Sequence, residues 1–162
     1  GLACVASPGD TLGLKYTPHS QSCKGNCPMH ITLLPEGWPR PKGYANGIMA
    51  TGQHHIFCGG QIGWLPDGRF ESRDFLGQLR QALLNVRAVL ESAQAGPEHM
   101  TRMTWYITSK REYLASIKDI GSAYRDVFGK NFPAMAVVEV SALMENDAKI
   151  EIEVLAVVPE DK

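Results

Sequence analysis

Apolar and polar positions fall into ordered periods from residue 29 onward, and each period predicts an element. HITLL (30–34) reads as a short strand, followed by the Pro- and Gly-rich loop PEGWPRPKGY. Residues 45–51 and 54–58 predict an antiparallel hairpin turning at Gly52-Gln53, and GGQIGWLPDG (59–68) predicts a glycine-rich loop with a turn at Pro66-Asp67-Gly68. From Ser72 to Ala93 the period becomes helical: Phe75, Leu79, Ala82, Leu83, Val86 and Leu90 share one face. Ser72 is the expected N-cap, Asp74 lies in the first turn, and Gly96-Pro97 ends the helix. MTRMTWYIT (100–108) is the next strand. A second helix is expected from Arg111 to Phe128, with Leu114, Ile117, Ile120, Tyr124, Val127 and Phe128 inward and Gly129 closing it.

The segment from Phe132 to Val158 predicts two strands joined by the polar turn MENDA. The second alternates strictly, with Ile150, Ile152 and Val154 on one face and Glu151, Glu153 and Leu155 on the other. The first has almost no polar face: across 136–143 only Glu139 and Ser141 interrupt the apolar run. Such a strand needs cover on both sides. The order β-β-β-α-β-α-β-β predicts an α+β fold, and two helices cover only one face of its mixed sheet. The other face is therefore expected to pack against further subunits.

Composition narrows the class. At 162 residues the chain is expected to form one domain over 29–162, with residues 1–28, rich in Gly, Ser, Pro and Cys, as a flexible or non-native extension. A formal charge of −1 gives no footprint for nucleic acid, and no apolar run is long enough to span a membrane. Cys4, Cys23 and Cys27 crowd the first 27 residues while Cys58 stands alone, a pattern that fits a reducing cytoplasm better than a disulfide framework. Cys58, in an apolar strand, reads as a small buried hydrophobe. His19, Cys23, Cys27 and His30 match no common zinc spacing, so no metal is expected. His54 and His55 are neighbours on a strand and point to opposite faces, which argues against joint ligation. His99 is expected to be a solvent-facing loop residue.

The element order and several motifs together resemble the Rid/YjgF family, also known as L-PSP endoribonucleases. The motifs are Gly43-Tyr44, Gly60-Gln61-Ile62 within IFCGGQI, the helix QLRQALLNVRAVLESA, Phe132-Pro133-Ala134, Val138-Glu139-Val140 and Lys149-Ile150-Glu151-Ile152-Glu153. The resemblance covers residues 38 to 158. It implies a chorismate-mutase-like α+β fold assembled as a homotrimer around a barrel-like sheet core, with ligand pockets between subunits. The implied chemistry is hydrolysis of enamines and imines such as 2-aminoacrylate to a keto acid and ammonia. No metal or organic cofactor is implied, because the imine carbon is already electrophilic.

In the family an arginine directly after the Pro-Ala pair binds the substrate carboxylate, and a glutamate matching Glu151 helps place the water. Here the residue after Pro133-Ala134 is Met135, which offers no charge and no donor. Val137 stands where the family has another water-holding residue. With Trp105 and Tyr106 adding bulk, the resemblance implies a larger or less anionic ligand than 2-aminoacrylate. Arg102, Lys110, Arg111 and Lys149 are the cations that could replace the arginine.

Each candidate has a plain structural alternative. Glu151 and Glu153 share a strand face and form either a water-positioning acid with its support or a solvated edge. Tyr44 lines a pocket mouth or caps a loop. Gly60 and Gln61, after Gly59, offer backbone N–H groups to a ligand oxygen or simply turn the chain. Three functions follow: an imine hydrolase, a non-catalytic trimer binding a small metabolite, and an endoribonuclease or translation inhibitor. The near-neutral charge counts against the last.

Overall fold

The computed structural model describes residues 30–159. The proposed extension over 1–28, and the histidine and cysteines set out there as a metal site, lie outside the described residues. Two sheets form. β1 (His30–Leu33) pairs antiparallel with β2 (Gly47–Ala50). The main sheet has the order β3-β6-β4-β5, from β3 (His54–Ile62), β4 (Met100–Ile107), β5 (Ala134–Glu139) and β6 (Ile150–Val158). β4 and β5 are parallel and the other pairs antiparallel, so the sheet is mixed and the fold α+β, as expected.

Helix α1 (Phe75–Ser92) buries the predicted face against β3 and β6: Leu79, Ala82, Leu83, Val86 and Leu90 are fully buried. Its N-cap is Asp74 rather than Ser72. The Asp74 carboxylate accepts from the Gly77 N–H at 2.9 Å, and the Ser72 hydroxyl donates to that carboxylate at 2.6 Å. Both contacts hold the Asp74 carboxyl below its ordinary pKa, the Ser72 bond most. Gly77 packs against Ser72, and an added Cβ would clash with the serine side chain.

The second helix is two helices, α2 (Lys110–Ala115) and α3 (Ile117–Phe128), broken at Ser116. The break turns Leu114 and Ile117 outward, where both are about half exposed, against the inward placement predicted for them. Ile120, Tyr124, Val127 and Phe128 do face the core, and Gly129 closes α3 at φ 64°. The Tyr124 ring stacks on Phe132 at 5.4 Å.

Three pairings differ from the local reading. Residues 47–50 pair with β1, not with 54–58, so the predicted hairpin is absent. Residues 59–62 continue β3 through a bulge between Cys58 and Gln61 instead of leaving as a loop. The strand expected over 136–143 stops at Glu139, and β5 and β6 are not neighbours. The cause is the helical connection 108–133: a crossover of that length makes β5 parallel to β4 at the sheet edge. β6 then inserts between β3 and β4, which suits its alternation: Ile150 and Ile152 are fully buried and Val154 is 2% exposed.

The start of β6 is held by one buried amide. Gln78, 1% exposed, donates to the Ser72 and Asp147 carbonyls at 3.2 and 2.9 Å and accepts from the Lys149 N–H at 2.8 Å. Cys58 is buried as expected, and burial raises its thiol pKa, keeping it protonated. His99 is not a free loop residue: its ring accepts from the Gly96 N–H at 2.8 Å within the 3-10 turn Pro97–His99.

Candidate functional site

Alternation on the central strands sorts the polar groups onto one face. Met103, Trp105 and Ile107 of β4 are buried under the helices, which leaves Arg102, Thr104 and Tyr106 on the open face. On β6, Glu151, Glu153 and Leu155 share that face. The register sets Tyr106 opposite Glu151, Thr104 opposite Glu153 and Arg102 opposite Leu155. The Tyr106 hydroxyl donates to Glu153 Oε1 at 2.8 Å. That bond first, and partial desolvation second, raise the phenol pKa, so Tyr106 keeps its proton.

Glu151 lies over the bulge of β3. A Cβ added at Gly60 would land on the Glu151 carboxylate, with Cδ at 2.6 Å. With no side chain at Gly60, the carboxylate lies directly over the backbone there. The neighbouring Gln61 folds back, its amide donating to the Gly59 carbonyl at 3.3 Å. The glycine-rich segment is thus a strand bulge shaped around an acid, and no turn.

A second group of predicted residues gathers elsewhere. Ala45 bridges Ala134, and its N–H donates to the Pro133 carbonyl at 3.0 Å. This sets Tyr44, 45% exposed, beside the start of β5 and so beside Met135. The parallel register pairs Met135 with Met103 and Val137 with Trp105, so both point to the helix side of the sheet. Met135 packs against the edge of the core, and Val137 is 37% exposed. Within one chain, Met135 and Glu151 therefore occupy opposite faces.

Trp105 is misplaced by the sequence reading. It is 2% exposed, stands opposite Ile152 and approaches Tyr124 at 6.5 Å, all in the helix-covered core. Tyr106 is the aromatic residue that reaches the Glu151 face. The sequence reading names Arg102 and Tyr106 separately and omits Thr104, although the three lie two apart along β4 and alternate with the apolar Met103, Trp105 and Ile107.

The candidate cations also separate. Lys149 Nζ is clamped by both carboxylate oxygens of Glu112, at 2.7 and 2.9 Å. Arg73 pairs with Asp147 at 3.4 Å beside a cavity of about 410 Å³ under the 141–149 loop. Lys110 and Arg111 belong to α2, whose first N–H, that of Lys110, donates to the Glu139 carboxylate at the end of β5 at 2.6 Å. Arg102 alone of the four proposed replacements sits on the Glu151 face. Among the described residues no group of three or more His, Cys, Asp and Glu side chains could hold a metal ion. No described helix is long and apolar enough to cross a membrane.

Known proteins match this arrangement. Residues 40–158 fit the family model described as Endoribonuclease L-PSP. The chain belongs to that family. It is 33% identical to a RutC family protein of Pyrococcus horikoshii over 130 residues, covering 79% of this chain and 98% of that one. It is 30% identical to the 2-iminobutanoate/2-iminopropanoate deaminase of Salmonella typhimurium, over 80% of this chain and 98% of the relative. Among solved structures, the Rid family protein YyfB of Yersinia pestis superposes with a TM-score of 0.70 at 27% identity, covering 80% of this chain and 99% of YyfB. E. coli TdcF with bound serine gives 0.57 at 28% identity, over 74% and 91%. The Rid resemblance read from the motifs holds, and with it the α+β fold.

Proposed function

We propose that this L-PSP family chain hydrolyses an imine or enamine, with Glu151 as the residue that orients and deprotonates the attacking water. The observation that carries this reading is the Glu151 carboxylate resting on the Gly60 bulge. Glycine at this bulge lets the carboxylate lie over the β3 backbone, half-buried, instead of extending from the strand into solvent. In the reaction, the water oxygen bonds to the imine carbon and the C=N pair moves to nitrogen. Glu151 takes the water proton and passes it to that nitrogen; it then carries the carbinolamine hydroxyl proton to the same nitrogen, the C–N bond breaks to release ammonia, and the C–O bond becomes a carbonyl. No step requires a cofactor. The substrate is a small metabolite, and the setting is the cytoplasm.

The site is shared between copies of a homotrimer whose barrel-like core is made by the open sheet faces. Support comes from that face itself: Phe57 is 76% exposed, it stands opposite the part-exposed Leu155, and Thr104 holds a buried hydroxyl without a hydrogen-bond partner among the described residues. Glu151 of one copy and the Tyr44–Met135 corner of another then meet at one pocket, with Gly60, Gln61 and Val137 at its rim. This also resolves their opposite placement within a single chain.

Met135 favours a second reading, a trimer that binds a small apolar ligand without turning it over. A ribonuclease role gains nothing from the site, which presents two carboxylates on its open face.

Hydrolysis of 2-iminobutanoate, generated in place by an amino-acid oxidase and followed by ammonia release, tests the proposal. Glu151→Gln is expected to lower the rate by about 10²-fold or more while leaving the fold intact. Equal rates for the two proteins would sink the catalytic reading and leave the binding one.

A further inference from the structure

Gln78 is a polar residue on the inward stripe of α1, among the apolar Phe75, Leu79 and Ala82. Burying an amide is unfavourable unless its polar atoms find partners, and here both do. All three partners are backbone groups outside the helix: the Ser72 and Asp147 carbonyls and the Lys149 N–H. Lys149 is then held at two further points. Its carbonyl accepts from the Thr108 N–H at 3.1 Å, and its Nζ lies on Glu112. The end of β3 meets the same glutamine. A Cβ added at Gly63 would stand 2.5 Å from Gln78 Cβ and 2.6 Å from its Cα, so the chain leaving β3 packs directly on α1 there. Between these two contacts the β3–β6 ladder is interrupted, by the bulge between Cys58 and Gln61 over which the Glu151 carboxylate lies. A bulge leaves a residue without its ladder bonds and bends the strand that carries it.

We infer that Gln78 is a positioning residue for Glu151, fixing the start of β6 just before the acid and the end of β3 just after the glycine beneath it. The inference rests on the proposal that Glu151 handles the water. Lys149 precedes Glu151 by two residues, about 7 Å of strand, so a tilt of the Lys149 backbone changes where the carboxylate points. Gly63 follows Gly60 at a similar distance along the other strand. Where the bulge interrupts the ladder, the two strands keep their relative placement through α1, and Gln78 is the side chain that makes both connections. It touches neither substrate nor water and acts through the backbone alone. A misplacement of about 1 Å at a reacting group can cost about 10²-fold in rate, so its loss falls on kcat rather than on substrate binding.

Two variants on one helix test this. Gln78→Met keeps the length and the burial and removes all three hydrogen bonds. Val86→Ala, fully buried on the same stripe and about 12 Å further along α1, destabilises the helix packing without touching the anchor. Both are compared with the wild type in 2-iminobutanoate hydrolysis, per mole of protein shown to be folded by circular dichroism. Gln78→Met is expected to lower kcat by about 10-fold or more with KM within about 2-fold, and Val86→Ala to keep both. Should Gln78→Met not fold, Gln78→Asn, whose amide is too short to reach all three partners, takes its place with the same expectation. A wild-type kcat in the Gln78 variant, or an equal loss in Val86→Ala, would overturn the inference. A wild type that hydrolyses nothing removes the hydrolase reading instead, and the placement of Glu151 is then read by NMR. The resonance of its carboxyl carbon, identified by its loss in Glu151→Gln, is expected to move in the Gln78 variant and stay in Val86→Ala. An unmoved resonance in the Gln78 variant overturns the positioning role with or without activity.

Discussion

The two faces of the main sheet are written by alternate residues of the same strands, yet they obey different rules. On the covered face Met103, Trp105, Ile107, Ile150, Ile152 and Val154 are at most 2% exposed, and the Trp105 indole N–H is buried without an acceptor among the described residues. On the open face Arg102, Thr104, Tyr106, Glu151 and Glu153 keep charges and hydroxyls that add nothing to a core. The first face makes the fold, and the second holds the residues of the proposed chemistry. Because β-strand side chains alternate, a change on one face reaches the other only through the backbone.

That division yields graded tests. The largest stability loss is expected from Trp105→Ala, about 3–5 kcal/mol, read as a lower denaturant midpoint. Glu151→Gln, one position away across the ladder, should leave that midpoint within about 0.5 kcal/mol. A comparable loss in both would erase the distinction between the faces. Gln78→Ala strips three buried backbone partners at once and should cost about 2–4 kcal/mol. It sharpens the comparison by asking whether loosening the start of β6 also lowers the activity of Glu151, which a purely structural role would spare. A modest effect belongs to the α1 cap, at the end of the helix that covers the first face. Asp74→Ala should cost about 1 kcal/mol at neutral pH. Since the folded Asp74 carboxyl titrates below its unfolded value, its contribution is present at neutral pH and lost as pH falls through the folded pKa. The Asp74→Ala penalty should accordingly vanish in acid, and a pH-independent penalty would refute the carboxylate cap.

Much of the covered face was legible in the sequence, because it rests on local periods. The inward stripe of α1 and the Ile150-Ile152-Val154 alternation needed no knowledge of partners. The place of Glu151 on the opposite face was also legible, from the same alternation. What failed was pairing at long range. Residues 45–58 look like a hairpin to any local reading, but β3 takes its partner from residues 151–158, about a hundred residues on. The break at Ser116 carries neither proline nor glycine, so nothing in the pattern marked it, and Leu114 and Ile117 were assigned inward as a result. Trp105 was placed in the pocket for its size against the alternation of its own strand. The same alternation, followed through, would have replaced it with Tyr106 and shown Arg102 on the face of Glu151.

The central place of β6 has a consequence for how the protein is made. β3 and β4, the strands on either side of it, leave the ribosome long before it does, and they have no ladder to share until the chain reaches residues 150–158. Until then β3 has no partner in the main sheet and β4 can pair only with β5, so the last strand is the one that joins them. The strand that completes the sheet is the one that brings Glu151 onto Gly60. A chain cut short before residue 150 lacks Glu151 and the centre of the sheet together, so the proposed site can form only with the finished fold.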